Sequence, residues 1–257
     1  MQKMPSNNTQ NYTKKLSIVI PVLNSHEVLR RQFLYFERIG IPDDTEIVIV
    51  DDGSEPPLEY HGKLPVRIIY TNDKRPWTWA LARNRGAREA QGEYLLMFDI
   101  DHIITREIID LARTFGGQKI HFKREFAVLT ESGDFTQDLE VLVKYGFPRE
   151  RLKSRGLQLT ALPNNFCMKK EIFFKLGGYR EDLFTRPYPQ GEDRLFKKRW
   201  YQWEREDGGF VHIERPTIYM FPNGYLCGHV DFNPFGLFHK LSRATRMNPK
   251  YMEEKDG

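Results

Sequence analysis

The feature that most constrains this chain is a set of short, continuous apolar runs, rich in β-branched residues, separated by segments of helical character. Leu16 to Val22 (LSIVIPV), Glu46 to Val50 (EIVIV), Val66 to Tyr70 and Glu93 to Phe98 (EYLLMF) are four such runs. An apolar run without polar alternation predicts a strand covered on both faces, as in a parallel sheet. Between the first two runs, Val28, Leu29, Phe33 and Phe36 recur at helical spacing behind Asn24 and Ser25, which are expected to cap that helix. Trp79 to Ala90 reads as a second helix, ended by Gly92. Strands alternating with helices predict an α/β fold built on a mostly parallel, doubly wound, Rossmann-like sheet flanked by helices. Such sheets bind ligands beyond the carboxyl ends of their strands. Pro21 to Asn24, Asp51 to Ser54 and Asp99 to His102 each follow directly on a strand, where that rule puts a site.

Past Thr105 the pattern predicts a helix near Arg106 to Thr114, a strand near Phe126 to Thr130, and a mixed charged stretch from Glu131 to Leu162. A strand over Asn164 to Met168, a helix over Lys169 to Leu176, the turn Gly177-Gly178-Tyr179 and a helix from Gly191 to about Glu206 follow. Pro216 to Met247, rich in Phe, Tyr, Gly and Pro, is expected to form a loop-rich C-terminal cap, and residues 1–15 a frayed N-terminus. The 257 residues suffice for one sizeable core, so residues 16–257 read as a single domain. Cys167 and Cys227 are far apart, which excludes a disulfide scaffold or a zinc ribbon and fits a reducing, cytoplasmic setting, a host cell's if the source is viral. No window approaches the ~20 apolar residues of a membrane span, so peripheral contact is the most that is expected of a membrane. A net charge of +4 favours an anionic ligand without demanding one.

Asp99-Ile100-Asp101 reads as two carboxylates on one side of an extended segment, since side chains at i and i+2 share a face. One hard cation, magnesium or manganese, can be reached from both and would keep open positions for water and phosphate. Asp51 to Ser54 offers acceptors for a base or ribose, or simply forms a turn. Arg83-Asn84-Arg85-Gly86, read at or near a helix start, can present guanidinium groups to phosphate. Glu192-Asp193 opens a helix, where acids stabilise the N-terminus, and a carboxylate there can also take a proton from a hydroxyl. Trp77 and Trp79 either stack on a ligand or pack in the core; His102 either orients the acidic loop or packs behind it.

Taken together, SIVIPVLN (Ser17 to Asn24), VIVDDGS (Val48 to Ser54), ARNRGA (Ala82 to Ala87), FDIDH (Phe98 to His102), GGYRED (Gly177 to Asp182) and GEDRLFKKR (Gly191 to Arg199) resemble the ordered motifs of a family 2 glycosyltransferase of the GT-A fold. That resemblance implies a nucleotide-sugar half over residues 16–104 and an acceptor half over 105–257. Pro21, Val22, Asn24 and Asp52 would line the donor nucleoside site, with Arg83 reaching base or phosphate. Asp99 and Asp101 would hold Mn2+ or Mg2+ and, through it, the diphosphate, with His229, ahead of His212 and His239, as a further ligand. Asp193 would be the general base of an inverting transfer and Glu192 a partner for sugar hydroxyls. The implied donor is a UDP-sugar and the implied acceptor a glycan. A hydroxymethylated DNA base is the alternative acceptor, given the basic charge and the Arg/Lys residues interleaved with aromatics near Lys197 to Arg205. From other classes, a nucleotidyltransferase would want a Gly-rich phosphate loop, which the chain lacks, and a non-catalytic sugar-binding relative would not need both acidic pairs.

Overall fold

In chain order the elements are β1 (Lys14–Val22), α1 (His26–Ile39), β2 (Thr45–Asp51), β3 (Val66–Tyr70), α2 (Trp79–Glu89), β4 (Gly92–Met97), β5 (His102–Ile103), α3 (Arg106–Thr114), β6 (Lys119–His121) and β7 (Lys123–Phe126). They continue with β8 (Val128–Leu129), β9 (Phe135–Thr136), α4 (Leu139–Lys144), α5 (Arg149–Arg155), β10 (Gln158–Leu159), β11 (Phe166–Lys169), α6 (Lys170–Lys175), α7 (Glu192–Asp207) and β12 (Thr217–Met220). This computed structural model describes residues 12–73, 79–145, 147, 149–159, 164–181, 192–207 and 216–220.

A six-stranded sheet runs in the order β3-β2-β1-β4-β11-β6, beside a four-stranded sheet β10-β7-β12-β5 and the hairpin β8-β9. The four apolar runs are its parallel half: Leu16 pairs with Thr45 and Val22 with Asp51, Ile47 pairs with Val66, and Val19 pairs with Met97. Their carboxyl ends therefore lie along one edge. β11 enters antiparallel to β4, with Phe166 opposite Met97. The chain thus starts β11 at the edge where β4 finishes, which brings a late segment to the polar clusters.

Strand periodicity explains why the runs are apolar throughout. Ile18, Ile20, Ile47, Ile49 and Leu96 join Phe36 of α1 and Ile108 of α3 in one core cluster. Their neighbours Val19, Val48, Val50, Leu95 and Met97 join Ala82 and Ala87 of α2, Phe173 of α6, and Phe196 and Trp200 of α7 in a second. α2 lies close to the sheet because Gly86 has no side chain: a Cβ there would stand 2.5 Å from Val19 Cγ1 and 2.8 Å from Val50 Cγ2.

Four readings of the sequence change. Ser25 is the N-cap of α1 but makes no capping bond; its hydroxyl donates to the Leu23 carbonyl at 2.9 Å. Asn24, at φ 48°, instead accepts from the Glu55 N–H at 2.8 Å, while its own N–H donates to Ser54 Oγ at 2.9 Å. These side chains sew two edge loops together rather than closing the helix. The single strand expected near Phe126 to Thr130 is divided between β7 and β8, in different sheets, and the charged stretch after it holds β9, α4, α5 and β10. Arg83 lies inside α2 rather than at its start. Of the expected cap, Thr217–Met220 is the strand β12, and Phe221 to Met247 lies outside the described residues. Among the described residues no helix is long and apolar enough to cross a membrane.

A buried lysine packs beneath α7. Lys119 of β6 is 2% exposed, its ammonium 4.4 Å from the Trp200 ring centroid, 5.0 Å from Phe166 and 5.9 Å from Phe196. Burial pushes its pKa from 10.5 down to about 7, Glu204 pulling it back up and Lys197 adding to the fall. Between those two values the unfolded chain holds a proton that the folded chain has released, so stability rises with pH across that window. Lys119→Met should remove this rise, measured as the wild-type minus variant difference in urea unfolding free energy from pH 6 to pH 10. A difference that does not change with pH would contradict it.

Candidate active site at the carboxyl edge

β4 stops at Met97, and the next residues fold back at once: the His102 N–H donates to the Asp99 carbonyl at 3.0 Å. The two aspartates therefore converge through a tight turn, not along the extended segment expected from their spacing. Ligand atoms of Asp99, Asp101 and His102 lie within 4.8 Å of one another. The Asp99 side chain is 25% exposed, whereas Asp101 and His102 are buried.

His102 is held from both ring nitrogens. Nδ1 is 2.7 Å from Asp101 Oδ1, and Nε2 faces Asn165 Nδ2 at 3.2 Å and Arg124 Nη1 at 3.4 Å. Asn165 is oriented by its Oδ1, which accepts from the Asp99 N–H at 3.0 Å, so its amide nitrogen must face the ring. Nε2 is thus the acceptor, and the proton sits on Nδ1 and is donated to Asp101. His102 orients Asp101, as outer-shell partners of metal-binding groups do. Gln32 of α1 completes the frame by donating to the His102 carbonyl at 2.6 Å. Burial lowers the pKa of Arg124, and the charges of Asp101 and Asp99 raise it.

Gln32, Arg124 and Asn165 escaped the sequence reading. Asn165 carried a weak signal, a polar residue at the mouth of a buried strand; Arg124 and Gln32 carried none, being single polar residues in unremarkable contexts.

Arg83, for which base or phosphate is the expected partner, reaches Asp99: Nη2 stands 2.5 Å from Asp99 Oδ1. Its guanidinium lies over the Trp79 ring at 5.8 Å and the Tyr179 ring at 5.5 Å from the centroids. Trp79 is therefore a packing partner of Arg83, while Trp77 lies outside the described residues. The adjacent Asn84 ties α2 to the GGYRED motif, donating to the Tyr179 carbonyl at 2.8 Å and accepting its N–H at 2.9 Å.

Hard oxygen donors from two carboxylates, one reachable and one oriented, suit magnesium or manganese. The guanidinium on Asp99 shows that a cation is already accommodated there.

Residues 17–116 match the family model described as glycosyl transferase family 2. They form a family 2 glycosyltransferase segment. A Bacillus subtilis protein described as the uncharacterized glycosyltransferase YfnE is 27% identical over 100 residues, 37% of this chain and 25% of that protein. In fold the chain resembles residues 1–349 of TarS from S. aureus. Its complex with UDP gives a TM-score of 0.54 at 17% identity over 80% of this chain and 60% of that one. The UDP-GlcNAc complex gives 0.53 at 19% identity over 80% and 58%. The fold is GT-A. This chain spans about three-fifths of TarS 1–349.

The family 2 glycosyltransferase segment contains the acidic turn and the whole parallel edge. Within it, Asp51 organises the second loop, accepting from the N–H groups of Gly53 at 3.1 Å, Ser54 at 2.7 Å and Leu58 at 2.9 Å. Asp52 and Val22 are buried, and Asp52 Oδ1 accepts from the Thr71 hydroxyl at 3.1 Å. Pro21 and Asn24 keep partial exposure and so offer the edge more surface than Val22 or Asp52.

Beyond the segment lie Arg124, Asn165 and α7. Asp193 is half-buried in the first turn of α7, its Oδ1 accepting from the Arg194 N–H at 2.7 Å. Among the described residues it has no bond to Asp99 or Asp101. One turn on, Phe196 stacks against Phe166 at 5.5 Å between centroids, and Phe166 directly follows Asn165. The Glu192 side chain, His229, His212 and His239 lie outside the described residues.

Proposed function

We propose that this chain is an inverting, divalent-cation-dependent glycosyltransferase that moves a hexosyl group from a nucleotide sugar, most simply a UDP-sugar, onto a glycan hydroxyl. The observation that carries the reading is the Asp99 to His102 turn, oriented by Asn165, Arg124 and Gln32 at the carboxyl edge of a family 2 segment. The likeness to TarS crystallised with UDP and with UDP-GlcNAc supports the choice of donor.

Pro21 and Asn24 border the nucleoside side of this edge, with Asp52 and Val22 packed behind them. Held by Asp99 and Asp101, magnesium or manganese would act as a Lewis acid that neutralises charge on the departing diphosphate. Asp193 accepts the proton of the acceptor hydroxyl as its oxygen bonds to the anomeric carbon from the face opposite the diphosphate. The bond from that carbon to the phosphate oxygen breaks, and its electron pair leaves with the nucleotide. Phe196 packed on Phe166 supports this role, since it brings the start of α7 toward the strand that begins at Phe166, directly after Asn165.

The exposed cations on which a DNA acceptor would rest are Lys197, Lys198 and Arg205 of α7. Exposed Arg30, Arg38, Arg106 and Arg149 each pair with a carboxylate, as does the half-buried Arg113, so these five form no bare cationic stripe.

The test is thermal unfolding with a panel of UDP-, GDP- and TDP-sugars, with and without manganese. A UDP-sugar should raise the melting temperature only with manganese present, the ligand at about 100 times its Kd contributing about 2.7 kcal/mol. Indifference to every donor in manganese would overturn the reading.

A further inference from the structure

Arg83 is a buried charge in direct contact with the acidic turn. It projects from the interior of α2, is 3% exposed, and has the Trp79 and Tyr179 rings against its guanidinium. Packing of this kind fixes where the charge sits and denies it the solvent that would otherwise neutralise it. Asp99 neutralises it instead. The same carboxylate is the more exposed of the two acids, and hence the one an incoming ion reaches first.

We propose that Arg83 occupies Asp99 as a stand-in cation in the donor-free protein and that, when a divalent ion takes Asp99, the guanidinium, kept in place by the two rings, turns its hydrogen-bond donors to the donor diphosphate, so that ion and nucleotide bind as a coupled pair. This rests on the reading of Asp99 as a cation ligand given above. With Arg83 held in position, loading Asp99 with a divalent ion sets three positive charges side by side, and the repulsion weakens binding of the ion alone. A diphosphate removes the conflict, because its oxygens match the planar guanidinium fork and its negative charge balances both cations. Each ligand then raises the affinity of the other by the same factor, as linkage requires.

An arginine with only a structural role would weaken all binding when replaced. The exchange makes two predictions of opposite sign. Isothermal titration of the full chain with manganese alone, and with UDP in saturating manganese, separates them. In Arg83→Met manganese alone should bind about tenfold tighter, since a unit charge beside the ion is gone. UDP should bind about tenfold more weakly, and the coupling between the two should fall below the roughly 5- to 150-fold usual for linked sites. Arg83→Lys, which keeps the charge, should resemble the wild type in manganese affinity. Arg83→Gln carries the same expectation as Arg83→Met and serves if the latter fails to melt cooperatively. Unchanged or weaker manganese binding in a folded, charge-free variant overturns the exchange while leaving the cation site standing. A wild-type protein that binds no manganese even with UDP overturns the cation site itself, and this proposal with it.

Discussion

Asp193→Asn is expected to lower kcat by about 10²- to 10⁴-fold, the usual worth of a positioned general base. Affinity for UDP in manganese should stay within a factor of about two, because amide and carboxylate are the same size and only the proton acceptor is lost. The half-buried position of Asp193 in the first turn of α7 makes the exchange structurally mild. Its one described bond, from the Arg194 N–H, can be kept by the amide oxygen. Single-turnover transfer measured beside UDP titration separates the two effects. Turnover within threefold of wild type would remove Asp193 from the chemistry.

The second large effect concerns what holds α7 in place. Trp200 is fully buried, its ring 5.0 Å from that of Trp203 and 6.2 Å from that of His121, with the Lys119 ammonium above it. Trp200→Ala should cost about 3–5 kcal/mol, since a large aromatic is removed from a site whose neighbours sit on separate strands and helices and cannot all close in. Against the roughly 5–15 kcal/mol that stabilises a typical domain, that is a major loss. The midpoint of urea unfolding reports it. A change under about 1 kcal/mol would mean that α7 is anchored by other contacts than these. Because Asp193, the proposed base, lies on the same helix, catalysis below the melting range should fall as well, through its displacement.

The two predictions meet where β11 runs beside β4. The parallel edge supplies the acidic turn, and β11, running the other way, begins beside that turn and carries Phe166 against α7. Asn165 stands at the crossing, with one end of its amide on Asp99 and the other on His102.

Much of this was legible in advance because it is local. β-branched runs with both faces covered marked β1 to β4 almost to the residue, and helical spacing marked α1, α2 and α3. The polar clusters at the strand ends marked the edge, and Asp99 with Asp101 marked the acidic site within it. Ordered motifs pointed to the family before any geometry was known. Tertiary structure alone decided how these parts act. The i, i+2 spacing could not disclose that the acids meet in a turn, because that turn is set by the Asp99 to His102 backbone bond and braced from below by Gln32. Nor could it show Arg83 on Asp99, 16 residues away, or His102 bridged to Asn165 across 63. A periodic pattern reports which face of one element is buried. It carries no record of which distant charge will be buried opposite, and for Arg83 that depends on Trp79 and Tyr179 closing over it once the sheet, α2 and the GGYRED turn have come together.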